Sequence, residues 1–270
     1  MRHVAFSLVL GFILVAVACQ SDPAQKSREA GPPNIIYILA DDLGYGDLGS
    51  YGQKNFTTPH LDQLAASGIR FTRHYAGSTV CAPSRSVLMT GLHTGHTPVR
   101  GNQEVQPEGQ WPLADSVKTL AEWLKETGYV TGAFGKWGLG FPGSEGDPVN
   151  QGFDLFFGYN CQRYAHRYYP EYLWENQQKV FLPGNDWTTT GTYAPDVIQE
   201  KTLEFIRTHK DTSFFAYVPV TIPHAELIVP DDEWVKEYVG RFPEEPYTGR
   251  PGADYGPDMV IGMYCSQVRP

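Results

Sequence analysis

The chain of 270 residues reads as an α/β fold in which a mainly parallel central sheet is flanked by helices on both faces. Three observations predict it. Apolar runs of strand length alternate with segments whose apolar residues recur at helical spacing. The first of those runs, Ile35-Ile36-Tyr37-Ile38-Leu39, is continuously apolar, as expected of a parallel strand covered on both faces. Hydrophobic residues make 41% of the chain while 28 Gly and 21 Pro mark abundant loops, so the protein is globular and loop-rich, not disordered. The length suits one large domain.

The elements follow in order. Arg2 and the uncharged apolar run from Val4 to Ala18 form a secretory signal over residues 1–18. The run is shorter than the ~20 residues of a membrane-spanning helix. Its end, Ala16-Val17-Ala18-Cys19, resembles the bacterial lipobox, in which the signal is cut before the cysteine and the thiol is lipidated; an ordinary cleavage site is the alternative. Residues 19–32 are a polar tether without periodic apolar positions, and 33–270 are the folded part. The expected destination is the periplasm or cell envelope, with anchoring through Cys19. Thr58-Pro59 opens a helix, with Leu61, Leu64 and Ala65 inward and Gly68 as its stop. Ile69 to Tyr75 reads as a second strand. Pro83 opens another helix, with Val87 and Leu88 inward and Gly91 after it, and Thr119 with Glu122 forms a capping box ahead of Trp123 and Leu124. Tyr129 to Phe134 is a strand, Asp196 to Arg207 an amphipathic helix carrying Val197, Ile198, Leu203 and Ile206, and Ser213 to Val220 the last clear strand. Ligands of such a sheet bind beyond the carboxyl ends of its strands, so the chemistry is sought there.

Charge narrows the partners. With 21 Lys+Arg against 30 Asp+Glu the formal net charge is −9, which argues against a nucleic-acid binder. Two acids, Asp41 and Asp42, stand directly after the first strand. Neighbouring strand residues face opposite ways, so both carboxylates can meet one hard cation only where the strand ends and the chain turns, as Gly44 and Gly46 allow. A solvated turn is the commoner fate of such a pair. Forty residues on, Cys81-Ala82-Pro83-Ser84-Arg85 occupies a strand-to-helix turn. A helix beginning at Pro83 aims its free amides and positive dipole at the loop before it, making an oxyanion site with a nucleophile at its lip and Arg85 one turn inside.

The run Cys81-Ala82-Pro83-Ser84-Arg85-Ser86-Val87-Leu88-Met89-Thr90-Gly91 resembles the signature of the type I sulfatases, in which the cysteine is oxidised after translation to Cα-formylglycine. The resemblance extends upstream through Pro33 to Gly44 and downstream through Gly132 to Gly140, and covers the chain from Pro33 to about Pro230. It implies an alkaline-phosphatase-like sulfatase sandwich and a sulfuric ester hydrolase. In that chemistry the formyl group is held as a gem-diol; one hydroxyl attacks sulfur, the alcohol leaves, and the second hydroxyl expels sulfate. A serine in its place would give a stable ester, whereas a hemiacetal can collapse. One calcium ion, rather than magnesium, suits Asp41, Asp42 and the oxygen on residue 81, because calcium takes roughly six to eight oxygen ligands. The implied partners are a sulfated carbohydrate or aryl sulfate and the formylglycine-generating maturation enzyme.

Further site residues come from the same resemblance. Lys136, in Gly135-Lys136-Trp137-Gly138, matches a sulfate-contacting lysine, although many relatives carry His where this chain has Gly138. His224, after Pro223, matches a histidine that meets the sulfate or the leaving oxygen, the natural place for a general acid. His93 and His96 have no identifiable metal partner and read as loop structure. Tyr159 to Trp174 interleaves aromatics with Gln162, Arg163, His166 and Arg167, a candidate loop for stacking on sugar rings and binding their hydroxyls; a packed loop is equally compatible. Of four cysteines, Cys161 and Cys265 are left with only each other as partners, and the sequence leaves open whether they join. The departure from the family lies at the end, where relatives supply further calcium ligands from an Asp-Asn pair. This chain has no Asp-Asn dipeptide, and Asp231, Asp232, Asp254 and Asp258 are poor substitutes. It resembles the N-terminal part of a sulfatase. A phosphodiester or phosphonate monoester hydrolase of the same fold, and a truncated non-catalytic chain, are the competing readings.

Overall fold

The computed structural model describes residues 31–186, 188–224 and 228–242. The signal, Cys19 and most of the tether lie outside them, as do Cys265, Asp254 and Asp258. Among the described residues no helix is long and apolar enough to cross a membrane.

Six strands form one sheet: β1 (Ile35–Asp41), β2 (Val130–Lys136), β3 (Leu155–Tyr159), β4 (Tyr172–Glu175), β5 (Gln178–Phe181) and β6 (Phe214–Pro223), in the order β1-β6-β2-β3-β4-β5. The first four in that order are mutually parallel, and β4 and β5 add an antiparallel hairpin at one edge. Alternation along the strands splits the core in two. Phe215 and Tyr217 of β6, Ala133 of β2 and Phe156 of β3 pack on one face with Ala82 and Met89 of α2 (Cys81–Thr90) and Ala121 of α3 (Leu120–Glu126). Phe214, Ala216 and Val218, with Phe134 and Phe157, pack on the other face against Ile198 and Phe205 of α4 (Ala194–His209). The doubly wound arrangement read from the sequence is therefore present.

Local chemistry sets the helix ends. The Thr119 side chain accepts from the Glu122 amide at 3.2 Å while Glu122 accepts from the Thr119 amide at 2.7 Å, the predicted capping box. Gly91 closes α2 in the left-handed conformation at φ 67°, its amide donating to the Val87 carbonyl. A further helix, α1 (Pro59–Ser67), starts at its proline as expected, but none of its residues is buried; Leu64 is 64% exposed.

Besides the inward face expected of Leu61, Leu64 and Ala65 in α1, two further expectations fail. Residues 69–75 form no strand: Ile69 and Tyr75 are each 82% exposed, and an alternating apolar pattern without a neighbouring strand has no ladder to join. Strand β1 is not covered on both faces. Among the described strands it pairs only with β6, and although Ile35, Tyr37 and Leu39 pack on the α2 side, Ile36 and Ile38 remain exposed beside a groove of about 350 Å³ shared with Val218, Leu203 and Ile206. No described element lies over that face.

Candidate active site

Because β1, β6 and β2 are parallel, their carboxyl ends share one edge of the sheet, where α2 also begins. The β1–β6 register shifts between Ala40 and Asp41, which comes to pair with Pro223. This irregularity ends the strand, and Asp42 follows at a positive φ of 62°. Asp41, Lys136, Cys81 and His224 are thereby delivered to one place from four separate stretches of chain.

Asp41 is the hub. One of its oxygens is 2.6 Å from Lys136 Nζ and the other 3.2 Å from an Arg85 nitrogen, with Lys136 fully buried and Arg85 2% exposed. Burial pushes the Asp41 carboxyl up, but the charges of Arg85 and Lys136 outweigh it and hold it below the usual carboxylate range. Arg85 also donates to the Lys136 carbonyl at 2.6 Å, tying α2 to the end of β2. Lys136 Nζ donates to Cys81 Sγ at 3.3 Å, and that sulfur lies 3.8 Å from an Asp41 oxygen. For the thiol, burial raises the pKa, yet hydrogen bonding from His224 and the Lys136 charge overcome it, and the net shift is downward. Cys81 is thus a partly exposed, thiolate-favouring group beside an ammonium. It lines a cavity of about 180 Å³ together with Asp41, Asp42, Thr79, Ser84 and Arg85.

The structure refines the expected positions. Cys81 is the first residue of α2, two residues earlier than the predicted helix start; the Ala82 amide donates to Asn102 Oδ1 at 2.9 Å and Pro83 has no N–H, which leaves the Cys81 amide at the helix mouth. Lys136 is the last residue of β2, where it pairs with Tyr159 of β3, and its side chain is fully buried against Asp41. The two acids take different partners. Asp42 is 66% exposed and bonded to His224 Nε2 at 3.3 Å, since adjacent carboxylates repel and each finds its own cation or donor. Among the described residues, those whose donor atoms lie within 4.8 Å of one another, as a metal would require, are Asp41, Cys81 and His224, without Asp42.

The aromatic segment is mostly packed inward. Tyr159 and Tyr168 are buried, the Tyr159 hydroxyl donating to the Arg167 carbonyl at 2.7 Å. His166 joins the site through His224, the two rings stacked at 4.4 Å and 13°. Burial, then the neighbouring His224 and Lys136, lower the His166 pKa to about 4, so it is neutral at pH 7. Gln162 is 6% exposed, and its amide occupies the space that a side chain at Gly138 would need. Arg163 is engaged outside, donating to Glu104 at 2.6 Å and to the Pro107 carbonyl at 3.0 Å. Cys161 is buried and carries no disulfide, its thiol pushed up to about 11 by burial. Asn102 and Tyr168, which brace the site, carry no signal in the sequence that separates them from ordinary loop residues.

Comparison with known proteins matches the same residues to a family. Bovine arylsulfatase A (Bos taurus) is 53% identical over 136 residues, covering 48% of this chain and 25% of its own. An arylsulfatase of Hemicentrotus pulcherrimus is 33% identical over 280 residues, covering 90% of this chain and 50% of its own. Among solved structures, BT4656 in complex with its substrate D-glucosamine-2-N,6-O-disulfate superposes with a TM-score of 0.64 at 27% identity, over 79% of this chain and 39% of that one. The chain thus spans at most about half the length of these relatives. The family model described as Sulfatase matches residues 33–261, which takes in every site residue from Asp41 to His224, and the chain belongs to the sulfatase family.

Proposed function

We propose that the protein is a sulfuric ester hydrolase that removes sulfate from a sulfated carbohydrate or an aryl sulfate, with residue 81 as nucleophile after its conversion to formylglycine and with one calcium ion. The observation that carries this reading is Cys81 at the start of α2, 3.3 Å from the buried Lys136 and backed by the Asp41–Arg85 pair. A helix start and two cations suit a sulfuryl group, whose oxygens gain negative charge as attack proceeds. Lys136 donates to those oxygens, Arg85 fixes both Asp41 and the end of β2, and His224 holds a proton near the leaving oxygen. A sulfated sugar as substrate is supported by the structural relative solved with one.

The donor chemistry fits a hard cation in part. Asp41 and the oxygen on a converted residue 81 would hold it, joined by Asp42 once that carboxylate leaves His224, and calcium would supply charge neutralisation of the sulfate group there. These groups offer fewer oxygens than the roughly six to eight calcium takes, so the 270-residue chain is expected to bind it weakly. A formyl hydrate at residue 81 supplies a nucleophile that can release sulfate by collapsing to the aldehyde. Pro83 and Arg85 of the motif are buried, so a maturation enzyme can read them only before the chain folds. The apolar start and Cys19 further suggest export and lipid anchoring, which Cys19→Ala should convert to soluble partitioning.

Trypsin releases the peptide from His74 to Arg85. Produced with the maturation machinery, it should carry an aldehyde at position 81; an unmodified thiol in a competent host would overturn the mechanism. Relative rates on aryl sulfate and aryl phosphonate decide between sulfatase and phosphonate hydrolase, with the sulfate expected to be faster.

A further inference from the structure

We infer that His166 is a positioning residue that sets the plane of the His224 ring, rather than a group that binds sugar. The inference goes one step beyond the proposed hydrolase, and only its kinetic arm rests on that reading. His224 sits just past the end of β6, joined to the sheet through Pro223. Its ring hydrogen-bonds the Cys81 thiol and is held from two further directions. Asp42 Oδ2 lies 3.3 Å from Nε2, and the His166 ring covers one face at 4.4 Å and 13°. Its backbone is fixed too, since the His224 amide donates to the Thr221 carbonyl at 3.1 Å and the Tyr168 hydroxyl donates to the His224 carbonyl.

A stacked plate works only if it is itself rigid. His166 ends a short 3-10 turn, Tyr164–His166, with its amide bonded to the Arg163 carbonyl at 3.2 Å. On either side the chain is fastened: Arg163 to Glu104 and Pro107, Arg167 to Tyr159, and Tyr168 to Thr221. The segment from Gln162 to Tyr168 is thus a brace, and its His166 ring lies flat on that of His224. An imidazole in this position leaves the edge of His224 open to Asp42 and to the sulfur while restricting rotation about its ring torsion. Positioning of this kind changes the rate of a step more than the affinity for substrate, because a small misplacement of a proton donor alone can lower turnover by about a hundredfold.

The test uses the 270-residue chain with diethyl pyrocarbonate as probe and peptide-resolved mass spectrometry as readout. Carbethoxylation of His224, measured against exposed His93, should quicken several-fold in His166→Ala and stay near the parent rate in His166→Phe, which keeps a flat ring. Should the alanine variant unfold, seen as faster modification of every histidine, His166→Gln keeps the volume without the ring and carries the same expectation. An unchanged His224 rate in a folded variant lacking the ring overturns the inference, whether or not the chain is a sulfatase. In any form that turns over aryl sulfate, His166→Ala should lower kcat by about tenfold or more with KM nearly unchanged, and His166→Phe should restore most of it. A raised KM with unaltered kcat would place His166 on the substrate and refute positioning.

Discussion

Asp41 is almost fully buried between Lys136 and Arg85, whereas Asp42 is two-thirds exposed beside His224. Removing one member of a buried charge group leaves the others uncompensated, so Asp41→Ala should lower stability by about 3–5 kcal/mol in urea unfolding. Asp42→Ala should cost about 1 kcal/mol or less, as for other exposed pairs. Equal losses would show that the hub is not Asp41. The pH dependence has a second source in His166. Its folded pKa is lowered to about 4 against 6.5 for the free side chain, so between those values the unfolded chain takes the extra proton and stability falls as the pH drops. The fall in Tm from pH 6.5 to 4.5 should be smaller in His166→Phe; the Asp41 contribution is lost only at lower pH, through its depressed carboxyl. Asp41, Asp42 and Cys81 stood out in the sequence because they lie where a periodic element ends or begins, with Arg85 one turn inside the helix, whereas Lys136 and His224 were found through the motifs shared with the family. The His166 stack was not, since nothing in the spacing of His166 and His224 tells which way two loop rings face.

Strand β2 continues past Phe134 to Lys136, and the chain then turns through Gly138 at a φ of 75°. Gln162, from the loop after β3, fills the space beside that glycine, and its carbonyl oxygen is buried without a hydrogen-bond partner. Gly138→Ala therefore meets both an unfavourable backbone angle and the Gln162 amide, and should destabilise by more than about 1 kcal/mol. Adding Gln162→Ala should recover part of the loss, measured as Tm of the double variant; no recovery would mean that backbone strain alone is responsible. Sequence patterns placed α1, α2, α3 and α4 and the strands β1, β2 and β6 through capping and periodicity, but they passed over β3 and the β4–β5 hairpin. Leu155 to Tyr159 is short and sits among glycines and aromatics. The hairpin turn is Asn176-Gln177, with Asn176 at a φ of 52°, a weaker signal than Asn-Gly, though the flanking Tyr172-Leu-Trp-Glu and Gln178-Lys-Val-Phe have strand length.

At the scale of the molecule the exposed flank of β1 is the feature that stands out. An edge strand that shows Ile36 and Ile38 beside an apolar groove offers both a template for another strand and a surface for association. Ile38→Lys should raise the concentration at which the protein stays monomeric in sedimentation, with Tm within a degree or two, because the residue it replaces is 61% exposed. A large fall in Tm would show that Ile38 belongs to the core. The sequence suggested a strand buried on both faces here, and it could not show otherwise: composition records that a side chain is apolar, not whether anything packs over it. The same strand has a consequence in time. Its only partner among the described strands is β6, and the Asn34 side chain that holds the Phe214 amide reaches across 180 positions of chain. At synthesis rates of about 5–20 residues per second, β1 emerges roughly 9–36 seconds before the strand it must pair with. Of the described strands it is made first, and it has no strand to pair with until β6 is made, an interval in which the motif at Cys81 is open to be read.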